Sequence, residues 1–292
     1  MAHYSIKDLE RLSGIQAHTI RIWEKRYKLI NPERTNTNIR IYSDNDLKRL
    51  LNIALLNKNG LKISKIAHLS ENDLNSKIIK LSEDYSNAGN QIENLILTMV
   101  QLDEVKFENL FNSVIDQIGF EDTIVNVIYP FLSKIGVLWQ TGNINPAQEH
   151  FISNIIRRKI LVAIDKLEIP VSGKKFILFL PEGEFHEISL LFFAYLVKKH
   201  GFYAIYLGQS VPFADVVSIQ KEYNAEYLVT CFTTQMPEFS LVDYLGQTAK
   251  TFKKQKVFVT GSQLLNYDIK RGSNLLKIKS AEHFKQQLNK IK

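Results

Sequence analysis

The chain has 292 residues, 45% of them hydrophobic and 11% aromatic, which suggests about two domains, each with a core of its own. Thirty-seven Lys and Arg against 30 Asp and Glu leave a net charge of +7, which permits a polyanionic partner without demanding one. The single cysteine, Cys231, excludes a disulfide framework and a cysteine-rich metal site, and the lack of a long apolar run or an apolar signal core predicts a cytoplasmic protein with no membrane partner.

The front of the chain, residues 1–75, reads as a set of short helices. Ser5 precedes the periodic run Ile6, Leu9, Leu12 and is an N-cap candidate, and Gly14 ends that helix. Gln16 to Tyr27 forms a second helix, stopped by Asn31-Pro32, and two short helices around a Gly-containing turn make a helix-turn-helix candidate. Arg34 to Tyr42 reads as a small turn between extended flanks. Ser43 caps a helix from Asp44 to Asn57 that Gly60 stops, and Ile63 to Leu69 begins another. Residues 1–75 hold thirteen Lys and Arg against eight Asp and Glu, so most of the surplus positive charge sits here, and Arg21, Lys25, Arg26, Arg34 and Arg40 lie on the second helix and the following turn. A solvated basic face is the ordinary reading of such a cluster.

Residues 76–89 are polar and read as a linker. Residues 90–168 then carry apolar residues at helical spacing, from Ile92, Leu95 and Ile96 through Phe107, Phe111 and Val114 to Val127, Ile128 and Phe131, which predicts a four-helix bundle. Breaks are expected at Gly119 with Asp122 and at Gly142 to Asn145. Trp139 ends the third helix, Pro146 suits the first turn of the fourth, and Glu149-His150 follow in its first turns. Spacing alone allows a plain helix–loop–helix joint with a core Trp. A second His motif, Glu184-Phe-His186, weighs against that reading.

Residues 173–292 alternate strands and helices. Strands are expected at Lys175–Leu180, Ala204–Leu207, Tyr227–Phe232 and Val257–Thr260, with helices at His186–His200, Phe213–Tyr223 and Leu241–Phe252. This predicts a doubly wound parallel sheet, whose ligands sit at the carboxyl ends of the strands. The loops at that end hold Glu184 and His186, Gly208, Ser210 and Pro212, Thr233 and Thr234, and Gly261 and Ser262.

Two resemblances follow. Residues 1–75 resemble the winged helix-turn-helix of MerR-type transcription regulators. The resemblance rests on Tyr4-Ser5-Ile6, Gly14, Thr19-Ile-Arg21-Ile-Trp23-Glu24, Arg26-Tyr27, Leu29, Pro32, Arg34, Arg40, Tyr42 and Asp46-Leu47. It implies double-stranded promoter DNA as partner, with Thr19, Arg21, Lys25 and Arg26 facing the major groove and Arg34 and Arg40 gripping phosphates. Tyr42 is a further DNA-facing candidate, although its apolar neighbours, like those of Trp23, favour the core. Asn38 stands where the wing commonly has Gly, and Asn tolerates left-handed angles. The helical bundle with Trp139, Glu149 and His150, followed by Glu184-x-His186 on an α/β domain, resembles the cobalamin-binding half of the CarH-like B12 photoreceptors, which carry the same front.

That resemblance implies a Rossmann-like (flavodoxin-like) B12-binding domain at residues 173–292, capped by the bundle, with adenosylcobalamin and its cobalt held between them. His186 would be the lower axial ligand with Glu184 orienting its loop. Trp139 would cover the upper face, and His150 would ligate cobalt after light, with Glu149 beside it. The protein would be a regulator and not an enzyme, a homo-oligomer (dimer or tetramer) whose assembly light changes. Two residues depart from the pattern. Ser189 and Ser262 stand where the family has glycines that let the nucleotide tail pass, and their side chains either narrow that slot or bond the tail. A linear bilin such as biliverdin, or another tetrapyrrole, is the alternative occupant, with Cys231 weighed as an attachment point against a buried core thiol. A corrinoid-carrier enzyme module is the alternative from another class, and the DNA-binding front argues against it.

Overall fold

The computed structural model describes residues 4–35, 38–58, 60–70, 73–74, 77, 88–140, 145–168, 173–234, 240–265, 267–269 and 273–291. The chain divides into two compact units, Met1–Ile155 and Ile156–Lys292. The expected linker at 76–89 lies almost wholly outside the described residues.

In the first unit, α1 (Ile6–Ser13) opens on a capping box, in which Ser5 and Asp8 each accept from the other's backbone N–H, and closes on Gly14 at φ +71. α2 (Ala17–Tyr27) ends earlier than Asn31-Pro32 would have stopped it, because Lys28 takes the left-handed cap at φ +51. β1 (Glu33–Arg34) and β2 (Arg40–Ile41) pair antiparallel as the wing. Asn38 adopts φ +62, the angle expected of it in place of glycine. Ser43 caps α3 (Asp44–Lys58) in a second capping box with Asp46, and α4 (Ile63–Ile66) follows. Leu9, Ile20, Tyr42, Leu47 and Ile53 form a fully buried core under these helices.

α5 (Ala88–Val100) packs on α3 and on α6 (Glu104–Ile118). Gly119 at φ +82 makes the expected break, but Asp122 lies inside α7 (Phe120–Thr123). The helix restarts at once and runs through a π turn at Ile124–Ile128 into α8 (Tyr129–Gln140). Phe107, Phe111 and Phe131 meet in the bundle core, with Phe107 and Phe131 ring centroids 6.0 Å apart. α9 (Pro146–Asp165) starts at the proline. Asn145 accepts from the Ala147 N–H, and the Gln148 side chain accepts from the Asn145 N–H.

The second unit is a five-stranded, all-parallel sheet in the order β4-β3-β5-β6-β7. The strands are β3 (Lys175–Pro181), β4 (Tyr203–Val211), β5 (Tyr227–Cys231), β6 (Lys256–Thr260) and β7 (Leu275–Lys277). The helices are α10 (Ile188–Lys199), α11 (Phe213–Tyr223), α12 (Leu241–Thr251) and α13 (Ala281–Asn289). Phe176 through Pro181 are all buried, as a strand covered on both faces requires. On one face Phe176 stacks on Tyr227 at 4.6 Å and Phe258 meets Phe284 edge-on, while on the other Phe179, Phe232, Tyr244 and Phe252 pack together. Cys231 is fully buried in this sheet, and burial, with the charge of Glu184, pushes its thiol pKa up. Gly208 to Val211, expected as a loop, instead continues β4. The strand absorbs Gly208 at φ +86 and Ser210 at φ +50 through irregularities opposite Phe179 and Pro181. In this order the strand sequence reverses between β3 and β5, so the crevice for a ligand opens beyond their carboxyl ends.

Candidate functional site

Residues 182–187 leave β3 at that reversal point. Glu184 is fully buried, and its carboxylate accepts five hydrogen bonds. Oε2 accepts from the backbone N–H of Thr233 and of Thr234, both at 2.8 Å, and from the Thr234 hydroxyl at 3.2 Å. Oε1 accepts from the backbone N–H of His186 at 3.0 Å and from the His186 ring at Nδ1, 2.7 Å away. Burial alone would raise the carboxyl pKa. The bonds from His186, Thr234 and Thr233 outweigh it and hold the value at about 2. An ionised carboxylate only accepts, so the Nδ1 of His186 must carry the proton and the lone pair belongs to Nε2. The His186 side chain is 57% exposed beside this buried anchor.

The rest of the loop is tied down on its other flank. The backbone N–H of Ser210 donates to the Glu184 carbonyl at 3.1 Å, the Gly183 N–H donates to Ser210 Oγ at 3.1 Å, and the Gln209 amide donates to the Phe185 carbonyl at 2.9 Å. The continuation of β4 through Gly208 and Ser210 is what brings these groups into reach. Pro212 is exposed and starts α11. Glu187, the residue after His186, is buried and accepts from the Tyr206 hydroxyl at 2.7 Å and from Arg157 on α9. Burial first, then the bond to Glu187, raises the Tyr206 pKa, so its hydroxyl stays a donor. Ser189 is half-buried in the first turn of α10.

Across the switch point the β5 and β6 loops are joined. Gly261 sits at φ +116 against Phe232, where a Cβ would lie 2.1 Å from the Phe232 carbonyl oxygen, so no other residue fits without moving backbone. Ser262 has room. Its hydroxyl donates to the Thr233 carbonyl at 2.6 Å. Of the two roles open to this departure, the hydroxyl is engaged with its own chain. Thr233 is therefore held from both sides, by Glu184 and by Ser262.

In the first unit, Trp139 falls in the last turn of α8, and its side chain lies outside the described residues, as do Gly142 and Asn143. Glu149 and His150 occupy the first turns of α9. Glu149 Oε2 is 3.3 Å from His150 Nδ1, and its other oxygen accepts from the Ser153 hydroxyl. His150 is 74% exposed and Glu149 31%.

The basic face of α2 is laid out as the periodicity implies. Arg21, Lys25 and Arg26 are exposed, and the Arg26 guanidinium lies 5.3 Å from the Tyr27 ring centroid. Thr19 is half-buried, with its hydroxyl 3.2 Å from His18 Nε2. Arg34 is exposed on the wing and donates to the Asn38 side chain at 2.6 Å. Arg40 is tied to α2, its Nε donating to both carboxylate oxygens of Glu24 at 3.0 Å, and its side chain is 31% exposed. Tyr42, fully buried, donates to the same carboxylate at 3.3 Å. This trio fixes the wing to α2, so Tyr42 can act on a bound partner only through the wing's position.

Residues 4–73 match the MerR HTH family regulatory protein family, and residues 91–163 match the B12 binding domain family. The chain thus carries a MerR-type helix-turn-helix and a B12-binding domain. The HTH-type transcriptional repressor CarH of Myxococcus xanthus is 26% identical over 73% of this chain and 73% of its own length. The HTH-type transcriptional repressor CarA of the same organism is 28% identical over 72% of this chain and 69% of its own length. These relatives are named as repressors, in keeping with the expectation of a regulator that is not an enzyme. The monomethylamine corrinoid protein of Methanosarcina barkeri superposes with a TM-score of 0.55 at 16% identity, covering 70% of this chain and all of its own, which supports the expected fold class.

Sequence reasoning found Glu184 and His186 but not the residues that make the pair rigid. Thr233 and Thr234 were placed at the right end of the sheet, yet their contribution comes chiefly through backbone N–H groups, which no residue type announces. The Arg157–Glu187–Tyr206 cluster was missed. The only hint was a glutamate beginning the apolar run of α10.

Proposed function

We propose that the regulator is controlled by a cobalamin bound at the carboxyl end of the sheet, with His186 as the axial nitrogen donor. The observation that carries this reading is the fully buried, ionised Glu184, which fixes the tautomer and direction of one exposed imidazole at the switch point. Among the described residues no group of three His, Cys, Asp or Glu side chains could hold a metal ion. One oriented imidazole suits a metal whose other ligands come with a macrocycle. When bound, such a cofactor would supply a cobalt able to take one nitrogen ligand, which His186 Nε2 would provide, and in its adenosyl form a light-sensitive cobalt–carbon bond. The finer reading is that adenosylcobalamin is the form bound, that the protein assembles as a dimer or tetramer on double-stranded promoter DNA, and that light changes this assembly. Trp139, Glu149 and His150 are assigned to the same cofactor on the resemblance alone.

The test is a visible spectrum of the protein with adenosylcobalamin, in darkness and after illumination, paired with size-exclusion chromatography. Wild type is expected to retain the cofactor with a His-ligated spectrum and to change elution volume after light. His186→Ala should lose the cofactor. His150→Ala should bind and photolyse but give a less stable illuminated state. An elution volume indifferent to light would remove the light switch and leave the sensor.

A second reading, a linear bilin, turns on Ser262, whose side chain adds bulk where the family pattern has glycine, with its hydroxyl bonded to Thr233. Biliverdin would then be held without a covalent bond, because the only cysteine is buried with its thiol pKa pushed up. Failure to take up cobalamin together with a new visible band on adding biliverdin would select this reading.

A further inference from the structure

The exposed face of α2 is not purely basic. The helix buries Ile20 and Trp23 and turns His18, Arg21, Ile22, Lys25 and Arg26 to the surface. His18, Arg21, Ile22 and Lys25 follow the spacing i, i+3, i+4, i+7 and therefore form one stripe. Ile22 is 53% exposed in the middle of it, whereas Ile20, Ile30 and Ile53 of the same domain are at most 2% exposed. The cations of the stripe suit phosphates and the acceptor edges of guanine. An aliphatic side chain suits neither. The major groove does offer it one apolar group, the 5-methyl of thymine. Isoleucine is also branched at Cβ and stiff at χ1, so little rotamer freedom is lost when it is placed against that methyl.

We infer that Ile22 is a specificity-determining residue that reads a thymine methyl, held at the base edges by Arg21 and Lys25 on either side of it. The inference rests on the reading of this domain as a binder of double-stranded DNA through α2.

The test starts with full-length protein, with adenosylcobalamin in darkness and without it, selecting sites from a randomised duplex pool. Each thymine of the selected site is then replaced in turn by deoxyuridine, which removes only the methyl. Wild type is expected to lose about fourfold in affinity at one thymine of each half-site, the worth of one buried methyl group. Ile22→Ala should bind the thymine and uracil versions of that position equally. Since Ile22 is exposed and the core residues of α2 are untouched, the variant should keep its melting temperature. Ile39, 61% exposed on the wing, serves as the control, and Ile39→Ala should retain the methyl dependence. The proposal is overturned if no uracil substitution weakens wild type, or if Ile22→Ala keeps the same methyl dependence. A wild-type protein that selects no sequence at all sinks the DNA reading itself, an outcome distinct from either.

Discussion

Glu149 and His150 are adjacent in the first turns of a helix, whereas Glu184 and His186 straddle one residue in a loop between strand and helix. The first carboxylate is 31% exposed and stands 3.3 Å from its imidazole. The second is fully buried, 2.7 Å from its imidazole, and accepts four further hydrogen bonds. The same two residue types thus produce two different devices. Glu184 sets the direction of His186 before anything binds, because turning that ring would cost a buried carboxylate one of its five hydrogen bonds. His150 has no such anchor and can reorient at little cost. A fixed donor suits a permanent ligand, and an adaptable one suits a ligand recruited in a single state.

The largest expected effect tests the anchor itself. Glu184→Ala leaves the half-buried N–H groups of Thr233 and Thr234 without their acceptor and should lower stability by about 3 kcal/mol in urea unfolding. Glu149→Ala should cost under about 1 kcal/mol, the usual worth of an exposed pair. Equal losses would erase the distinction between the two pairs. Glu184→Gln keeps an oxygen for the threonine N–H groups but removes the charge that holds Nδ1. It should fold and bind cobalamin about 10- to 100-fold more weakly by spectral titration. The partner change Glu149→Gln should leave binding in the dark unaltered. Next comes the loop's second tether. Arg157→Met leaves Glu187 buried with Tyr206 as its remaining partner in that cluster and should cost about 1–2 kcal/mol, since the arginine is itself 48% exposed. The smallest effect is expected from Ser262→Gly, which removes one exposed bond to Thr233 and should lower the unfolding free energy by less than about 1 kcal/mol. A larger loss would mean that the β5–β6 junction, and not Glu184 alone, positions the threonines.

What was legible in the sequence is what local chemistry decides. Ser5 and Ser43 announce their helix starts because a hydroxyl accepts from backbone three residues on, and Gly14 and Gly60 announce ends by their freedom at positive φ. The continuous apolar runs of β3, β5 and β6 announce a covered parallel sheet. The rest depends on separation along the chain. Glu184 meets Thr233 and Thr234 across 49 and 50 residues, and Arg157 meets Glu187 across 30. Gly208-Gln-Ser-Val-Pro reads as a turn by composition, but edge pairing with β3 overrides that preference and the strand continues to Val211. β7 is only three residues long and α13 follows it closely, too little periodicity to stand out against the surrounding polar chain. The Arg40–Glu24 pair was not legible either, because the two residues stand 16 apart in the chain.

The parallel order of the second unit has a consequence in time. Each of its strand pairs is closed over an intervening crossover, so no two neighbours can pair until a long stretch of chain exists, and such non-local pairing is slow to form. The wing of the first unit pairs strands six residues apart, and its last strand is complete by Ile41. β7 is not complete until Lys277. At synthesis rates of roughly 5–20 residues per second, a nascent chain waits on the order of 10–50 s between the two events. A nascent chain therefore carries a paired wing for some time before its parallel sheet can close.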